Sequence, residues 1–163
     1  MTPIKHRIAI VLLMAAGVCS AQGSTTLTTT FQVSLTIASN CAITANPLAF
    51  GTTGVLTAAL NQTTTVSITC TNTTPYNVGL DAGNVTGSTV ATRLLSNGTA
   101  TVQFQMYQDS ARSIVWGNTI GTNTATGTGN GTAQTLTVYG QVPAQTTPAA
   151  STYTSTVTAS VTF

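Results

Sequence analysis

Apolar and polar positions alternate with a period of two along most of this chain, and the longest such run lies near its start. In residues 25–37, Leu27, Phe31, Val33, Leu35 and Ile37 share one parity with Thr29, while Thr28, Thr30, Gln32, Ser34 and Thr36 take the other. Successive side chains of a strand point to opposite faces, so this pattern predicts a half-buried β-strand. The run carries no charge and its first half is almost all threonine, so nothing local says which sheet it joins.

Shorter runs follow. Leu48 and Phe50 alternate and stop at Gly51. Val66, Ile68 and Cys70 share a face and lead into the turn Asn72-Thr73-Thr74-Pro75, after which Tyr76, Val78 and Leu80 alternate as far as Asp81-Ala82-Gly83. These two runs predict paired strands of a hairpin or meander. Val102, Phe104 and Met106 alternate with Gln103 and Gln105; a turn at Asp109-Ser110-Ala111-Arg112 and the apolar Ile114-Val115-Trp116 come next. Residues 121–131 read as a loop of Gly, Thr and Asn, and Leu136, Val138, Gly140 and Val142 make another strand, stopped by Pro143. No amphipathic stretch of three helical turns interrupts the series. Many short strands at this spacing predict an all-β sandwich.

The last run repeats the signature of the first: Val157, Ala159, Val161 and Phe163 alternate with Thr156, Thr158, Ser160 and Thr162. A core strand at the end of the sequence has no later strand to cover its edge. Either the N-terminal strand folds back to close the sheet within one molecule, or the sandwich stays open and another chain closes it. Long, flat, uncharged strands are what soluble monomers normally avoid, so the pattern favours a protein that associates.

The first 21 residues change how the composition is read. Lys5, His6 and Arg7 precede an apolar run over residues 8–18, too short to span a bilayer, and Cys19, Ser20 and Ala21 provide small residues for cleavage. The expectation is a secretory signal peptide over residues 1–21, with the mature chain starting at Gln22 and no membrane span left after its removal. A membrane anchor and a lipidated Cys19 are the rival readings, and Val18 is bulky for the latter. Without this segment the charged side chains are Arg93, Arg112, Asp81 and Asp109, which sum to zero, so the sequence pI of about 8.6 implies no nucleic-acid partner. Cys41 and Cys70 remain as an even pair in an exported chain, which predicts a disulfide rather than free thiols or a metal site. No mature His or third Cys exists to complete such a site. About 140 residues are left, enough for one domain with a core.

At this point several pieces taken together resemble the spore coat protein U domain family. They are Cys41-Ala42-Ile43, Leu48-Ala49-Phe50-Gly51, residues 70–83 with Pro75-Tyr76 and Leu80-Asp81-Ala82-Gly83, and Arg93-Leu94-Leu95. Residues 106–113, Val115-Trp116-Gly117 and residues 136–144 continue the match, which covers nearly all of the mature chain. The sequence departs from the family's Gly-x-Tyr-x-Asp before the final strand, having Ser151 and Ser155 around Tyr153.

The resemblance implies a domain similar to the major subunits of archaic chaperone-usher pili of the Csu type. Such a domain is an incomplete immunoglobulin-like β-sandwich completed by a donor strand. A periplasmic chaperone lends the strand first; an outer-membrane usher then exchanges it for the N-terminal strand of the next subunit. On this reading residues 22–38 are the donor extension and residues 39–163 the sandwich. Phe31, Val33, Leu35 and Ile37 are then the partner-binding side chains. The implied partners are neighbouring copies, chaperone, usher and a tip adhesin, and the implied destination, reached through the periplasm, is the cell surface. The expected function is a fibre subunit for adhesion and biofilm formation. The alternative is a secreted spore-coat or carbohydrate-binding β-sandwich protein.

Candidate chemistry is sparse. With no mature His, Lys or Glu, and one Asp in each of two turns, no base stands beside the many hydroxyls and no carboxylate pair suggests itself, so neither an enzyme nor a cofactor is expected. Asp81 and Asp109 read as turn formers, with Asp109 placed for a local ion pair to Arg112. Trp116 is expected in the core, with a sugar-binding aromatic as its rival. The Asn-x-Ser/Thr matches at Asn61, Asn72, Asn84, Asn97 and Asn130 are expected by chance in a threonine-rich chain and receive no role.

Overall fold

The structure is a computed structural model that describes residues 23–163; the expected signal peptide at residues 1–21, with Cys19 and the cleavage point after Ala21, lies outside the described residues. The chain divides into two units, Met1–Leu35 and Thr36–Phe163. In the first, residues 23–35 carry no strand, and Leu27, Phe31, Val33 and Leu35 are 96%, 85%, 83% and 85% exposed. The half-buried strand expected over residues 25–37 is therefore not formed, because an alternating segment becomes a strand only when another strand takes its backbone groups.

The second unit is all β. Its strands are β1 (Cys41–Ala45), β2 (Leu60–Cys70), β3 (Pro75–Leu80), β4 (Arg93–Ser96), β5 (Thr101–Tyr107), β6 (Ala125–Thr128), β7 (Ala133–Val142) and β8 (Ala159–Thr162). They form a five-stranded antiparallel sheet in the order β1-β2-β7-β5-β4 and a three-stranded one in the order β6-β3-β8. Register follows from parity: Val66 pairs with Leu136, and Ile68, Val66 and Val138 all turn inward. From the other sheet Tyr76, Val78 and Leu80 meet them, all buried. Trp116 is 1% exposed and donates Nε1–H to the Val78 carbonyl at 2.9 Å, which fixes it as a core residue and removes it as a sugar platform.

Several local expectations are corrected. β2 and β3 are not a hairpin: both edges of β2 are taken by β1 and β7, so the chain crosses to the second sheet through residues 71–74. Thr73 adopts φ 63° there, and the Thr71 and Thr74 hydroxyls bond at 2.9 Å. Leu48 and Phe50 form no strand; they fold inward over Gly140, where a Cβ would stand 2.6 Å from a Leu48 methyl, and Phe50 meets Phe104 edge to face at 6.3 Å. The loop expected over residues 121–131 contains β6, paired with β3. Asp109 does not pair with Arg112. Its carboxylate accepts from the Ser113 and Ile114 N–H groups, while Arg112 donates to the Ser110 and Gly140 carbonyls.

Candidate functional site

Edges are where a sandwich can accept another strand, because an edge strand shows unpaired N–H and C=O groups. β1 has β2 as its one ladder neighbour and β8 has β3. The free sides of β1 and β8 approach each other, with Cα atoms within 8 Å, yet no ladder joins them. Neighbouring strands lie about 4.8 Å apart, so a strand seated between these two walls needs about 9.6 Å. The walls must therefore widen to accept one. Ile43 of β1, with Val157, Ala159 and Val161, line the core here but are only partly buried. Neither wall contains a charge or a proline.

Each wall is held from behind. β1 is pinned to β2 by the Cys41–Cys70 disulfide, whose cysteines are direct ladder partners with Cα atoms 4.1 Å apart. The expected bridge is thus present, and closing a loop of 29 residues this way stabilises the fold by about 3.6 kcal/mol in the chain-entropy account. Asn40 continues the ladder before β1, its carbonyl accepting from Thr71 N–H at 2.9 Å and its own N–H reaching the Thr71 hydroxyl at 2.9 Å.

The β8 wall extends beyond its strand bounds. Asp81 N–H donates to the Thr158 carbonyl and Asn84 N–H to the Thr156 carbonyl, while the Asp81 and Asn84 side chains accept from the Thr158 and Thr156 N–H groups. Side-chain oxygens thus carry the pairing past the bend at Ala82 and Gly83, which matches the longer final strand expected from residue 156. Partial burial raises the Asp81 pKa, but the Thr158 and Gly83 N–H groups and the Arg93 charge outweigh it and hold the carboxyl below its ordinary value.

Behind Asp81 lies a group that sequence reasoning missed. Arg93 is 0% exposed, and its five N–H donors are all used: Nε to the Asp81 carbonyl, Nη2 to the Leu80 and Trp116 carbonyls, and Nη1 to the Val90 carbonyl and Gln105 Oε1. Gln105 Nε2 completes the cluster by donating to the Val90 and Ala91 carbonyls. Burial lowers the Arg93 pKa to about 10, with the Asp81 charge opposing, so the guanidinium stays protonated at neutral pH. The available signal was an arginine beside two leucines in a chain with almost no charge. Asn97 and Asn130, which carried no assigned role, cap tight turns through their Oδ1 atoms.

Of the side chains singled out for partner binding, Phe31, Val33 and Leu35 are exposed as given above, and Ile37 is 76% exposed. Among the described residues no group of His, Cys, Asp and Glu could hold a metal ion, and no helix is long and apolar enough to cross a membrane.

Fold and site together define an all-β sandwich with two unpaired edges facing each other. Within that class, residues 27–160 match the Spore Coat Protein U domain, and the chain belongs to that family. No curated protein is a match. Among solved structures, the chain is similar to one in the crystal structure of the CsuC-CsuE chaperone-tip adhesion subunit pre-assembly complex from archaic chaperone-usher Csu pili of Acinetobacter baumannii. The identity is 25% and the TM-score 0.58, over 78% of this chain and 40% of that one. The chain thus spans well under half the length of the protein it matches.

Proposed function

We propose that this protein is a structural subunit of an archaic chaperone-usher pilus and polymerises by donor-strand exchange. The observation that carries the reading is the co-occurrence of two open, uncharged ladder edges with an exposed alternating segment at Phe31, Val33, Leu35 and Ile37. That segment supplies what the edges lack, a strand whose alternate side chains fill an apolar cleft while its backbone pairs on both sides. Burying four such side chains contributes about 6 to 12 kcal/mol, before ladder hydrogen bonds are counted.

Chain length favours docking in a neighbour over docking in the same molecule. Asn40 is already on the β1 ladder, so only Ala38 and Ser39 separate Ile37 from it. An antiparallel return would need a two-residue hairpin, whose favoured turns call for Gly, Asn or Asp. A parallel return would need a crossover of a dozen or more residues.

On this reading a periplasmic chaperone covers the cleft during export, an outer-membrane usher exchanges its strand for the next subunit's, and the fibre serves adhesion and biofilm formation, with a tip adhesin at its end. The test is gel analysis of the exported protein without boiling. A ladder of SDS-resistant multimers that collapses on heating is expected, and deleting residues 22–36 should abolish it while leaving the chaperone-bound subunit. A ladder that survives the deletion refutes the proposal.

A further inference from the structure

The outer face of the five-stranded sheet carries an arrangement that fibre assembly does not use. Tyr107 of β5 and Tyr139 of β7 are direct ladder partners, and their inward neighbours Met106 and Val138 are buried, so both rings stand on the outer face, partly exposed. The same row continues to Val115, bridged to Tyr107, and to Thr63, paired with Tyr139. Neither phenol hydroxyl has a hydrogen-bond partner among the described residues, although Tyr76 and Trp116, the comparable rings, are buried.

The adjoining row is made of amides. Gln141 pairs with Gln105 on one side and Asn61 on the other, and Gln141 Nε2 donates to Asn61 Oδ1 at 2.9 Å. That bond leaves the Gln141 carbonyl oxygen and the Asn61 amide hydrogens for an outside partner. Gln103, exposed one step further along β5, has its whole amide free, and a shallow cavity of about 230 Å³ opens between Gln103, Tyr107 and Val115. Of the charged groups of the nearby turn, Asp109 accepts from the turn's own N–H groups, while Arg112 donates to the Ser110 carbonyl and to the Gly140 carbonyl of β7.

We propose that this face binds a neutral polysaccharide chain, with Tyr107 and Tyr139 as the stacking platform and Gln103, Gln141 and Asn61 as its amide partners. Sugar rings present C–H faces that lie on aromatic rings and rims of hydroxyls that need both donors and acceptors. Side-chain amides supply both in one group. An acidic polymer would meet a single cation beside this face, Arg112, with the opposite charge of Asp109 in the same turn, and a protein partner would leave the free amides to be satisfied one by one. The inference stands apart from donor-strand exchange, since none of these residues lies on β1 or β8.

The experiment is native affinity electrophoresis of the exported protein, in whichever assembly state it is recovered, through gels containing hydroxyethylcellulose or alginate. Hydroxyethylcellulose should retard the protein, and Tyr107→Ala with Tyr139→Ala should weaken binding about tenfold or more. Tyr107→Phe with Tyr139→Phe should keep most of it. No retardation by hydroxyethylcellulose, undiminished retardation of the alanine variant, or retardation by alginate alone overturns the proposal. If the alanine variant does not fold, the wild type decides: hydroxyethylcellulose must perturb tyrosine absorbance while the buried Trp116 signal stays constant, and an unperturbed tyrosine spectrum counts against the site.

Discussion

Replacing Leu35 with aspartate separates subunit stability from fibre stability, because Leu35 is 85% exposed before assembly. An exposed side chain with no packing to lose should change subunit stability by less than about 0.5 kcal/mol. In the proposed fibre the same side chain would enter the apolar space between a neighbour's β1 and β8. There the variant forgoes the leucine burial, about 1.5 to 3 kcal/mol. Its carboxyl must also take up a proton to enter, which from an ordinary pKa near 3.9 costs about 4 kcal/mol at pH 7. The joint therefore weakens by about 6 kcal/mol, a factor on the order of 10⁴ in its equilibrium constant.

Two comparisons isolate the cause. Ser34→Asp adds the same charge on the other parity and should assemble, while Leu35→Ala loses burial without the carboxyl and should assemble weakly. Lowering the pH to about 4 should restore most of the charge-dependent loss in Leu35→Asp, on the order of 10³ in the equilibrium constant. Sedimented fibre mass and the melting temperature of the chaperone-bound subunit are the measurements. Fibres of normal heat stability from Leu35→Asp, or a subunit melting temperature that falls along with assembly, would refute the reasoning.

Arg93→Met removes the buried donor that serves the Leu80, Asp81 and Trp116 carbonyls, and should cost the subunit about 3 to 5 kcal/mol by denaturant unfolding. Cys41→Ser with Cys70→Ser should lose about 3 to 4 kcal/mol, and hydrogen exchange should show β1 opening before β2. Asp81 and Asp109 both titrate below the ordinary value of 3.8, so each binds fewer protons folded than unfolded. Their stabilising effect is present above that value and lost as pH falls through the lowered folded pKa; melting temperature should be flat through neutrality and decline below about pH 4. At Asn97-Gly98 and Asn130-Gly131 the glycine N–H groups that would attack the asparagine side chains are held by Ser96 Oγ and the Cys70 carbonyl, at 2.9 and 3.0 Å. Peptide mass analysis should find both asparagines intact in the aged folded protein and deamidated after unfolding.

Period-two patterning told which residues face inward but not which strands pair. Val66, Ile68, Tyr76 and Val78 were legible as core because their parity is local, whereas the placement of β2 and β3 in different sheets depends on β7 occupying the far edge of β2, a contact some 70 residues away in sequence. β6 was invisible because Ala125-Thr126-Gly127-Thr128 has no large apolar residue to mark a face; the Tyr76 ring lies where a Cβ on Gly127 would be. The disulfide followed from parity of number and export. The Arg93 cluster did not, since every acceptor but one is a backbone carbonyl, and carbonyls have no signature in a sequence.

The distribution of charge supports the proposal that the free edges serve assembly. Soluble sandwiches blunt their edges with lysine, proline or an inward charge. Here the edge strand β4 begins with Arg93 and is bridged at Ser96 to Thr154. β1 and the wall continuing through β8 have no such device, and it is these two that face each other. The remaining edge, β6, is uncharged as well, so what sets β1 and β8 apart is that they face each other and can share one incoming strand. The right strand can pair on both sides, while a stray one can pair on a single side. Pairing on both sides doubles the ladder hydrogen bonds and buries the alternate side chains, so the cleft discriminates by geometry without needing charge. An exported subunit built this way needs the cleft filled from the moment it folds, which is the physical reason the proposed chaperone precedes the proposed neighbour.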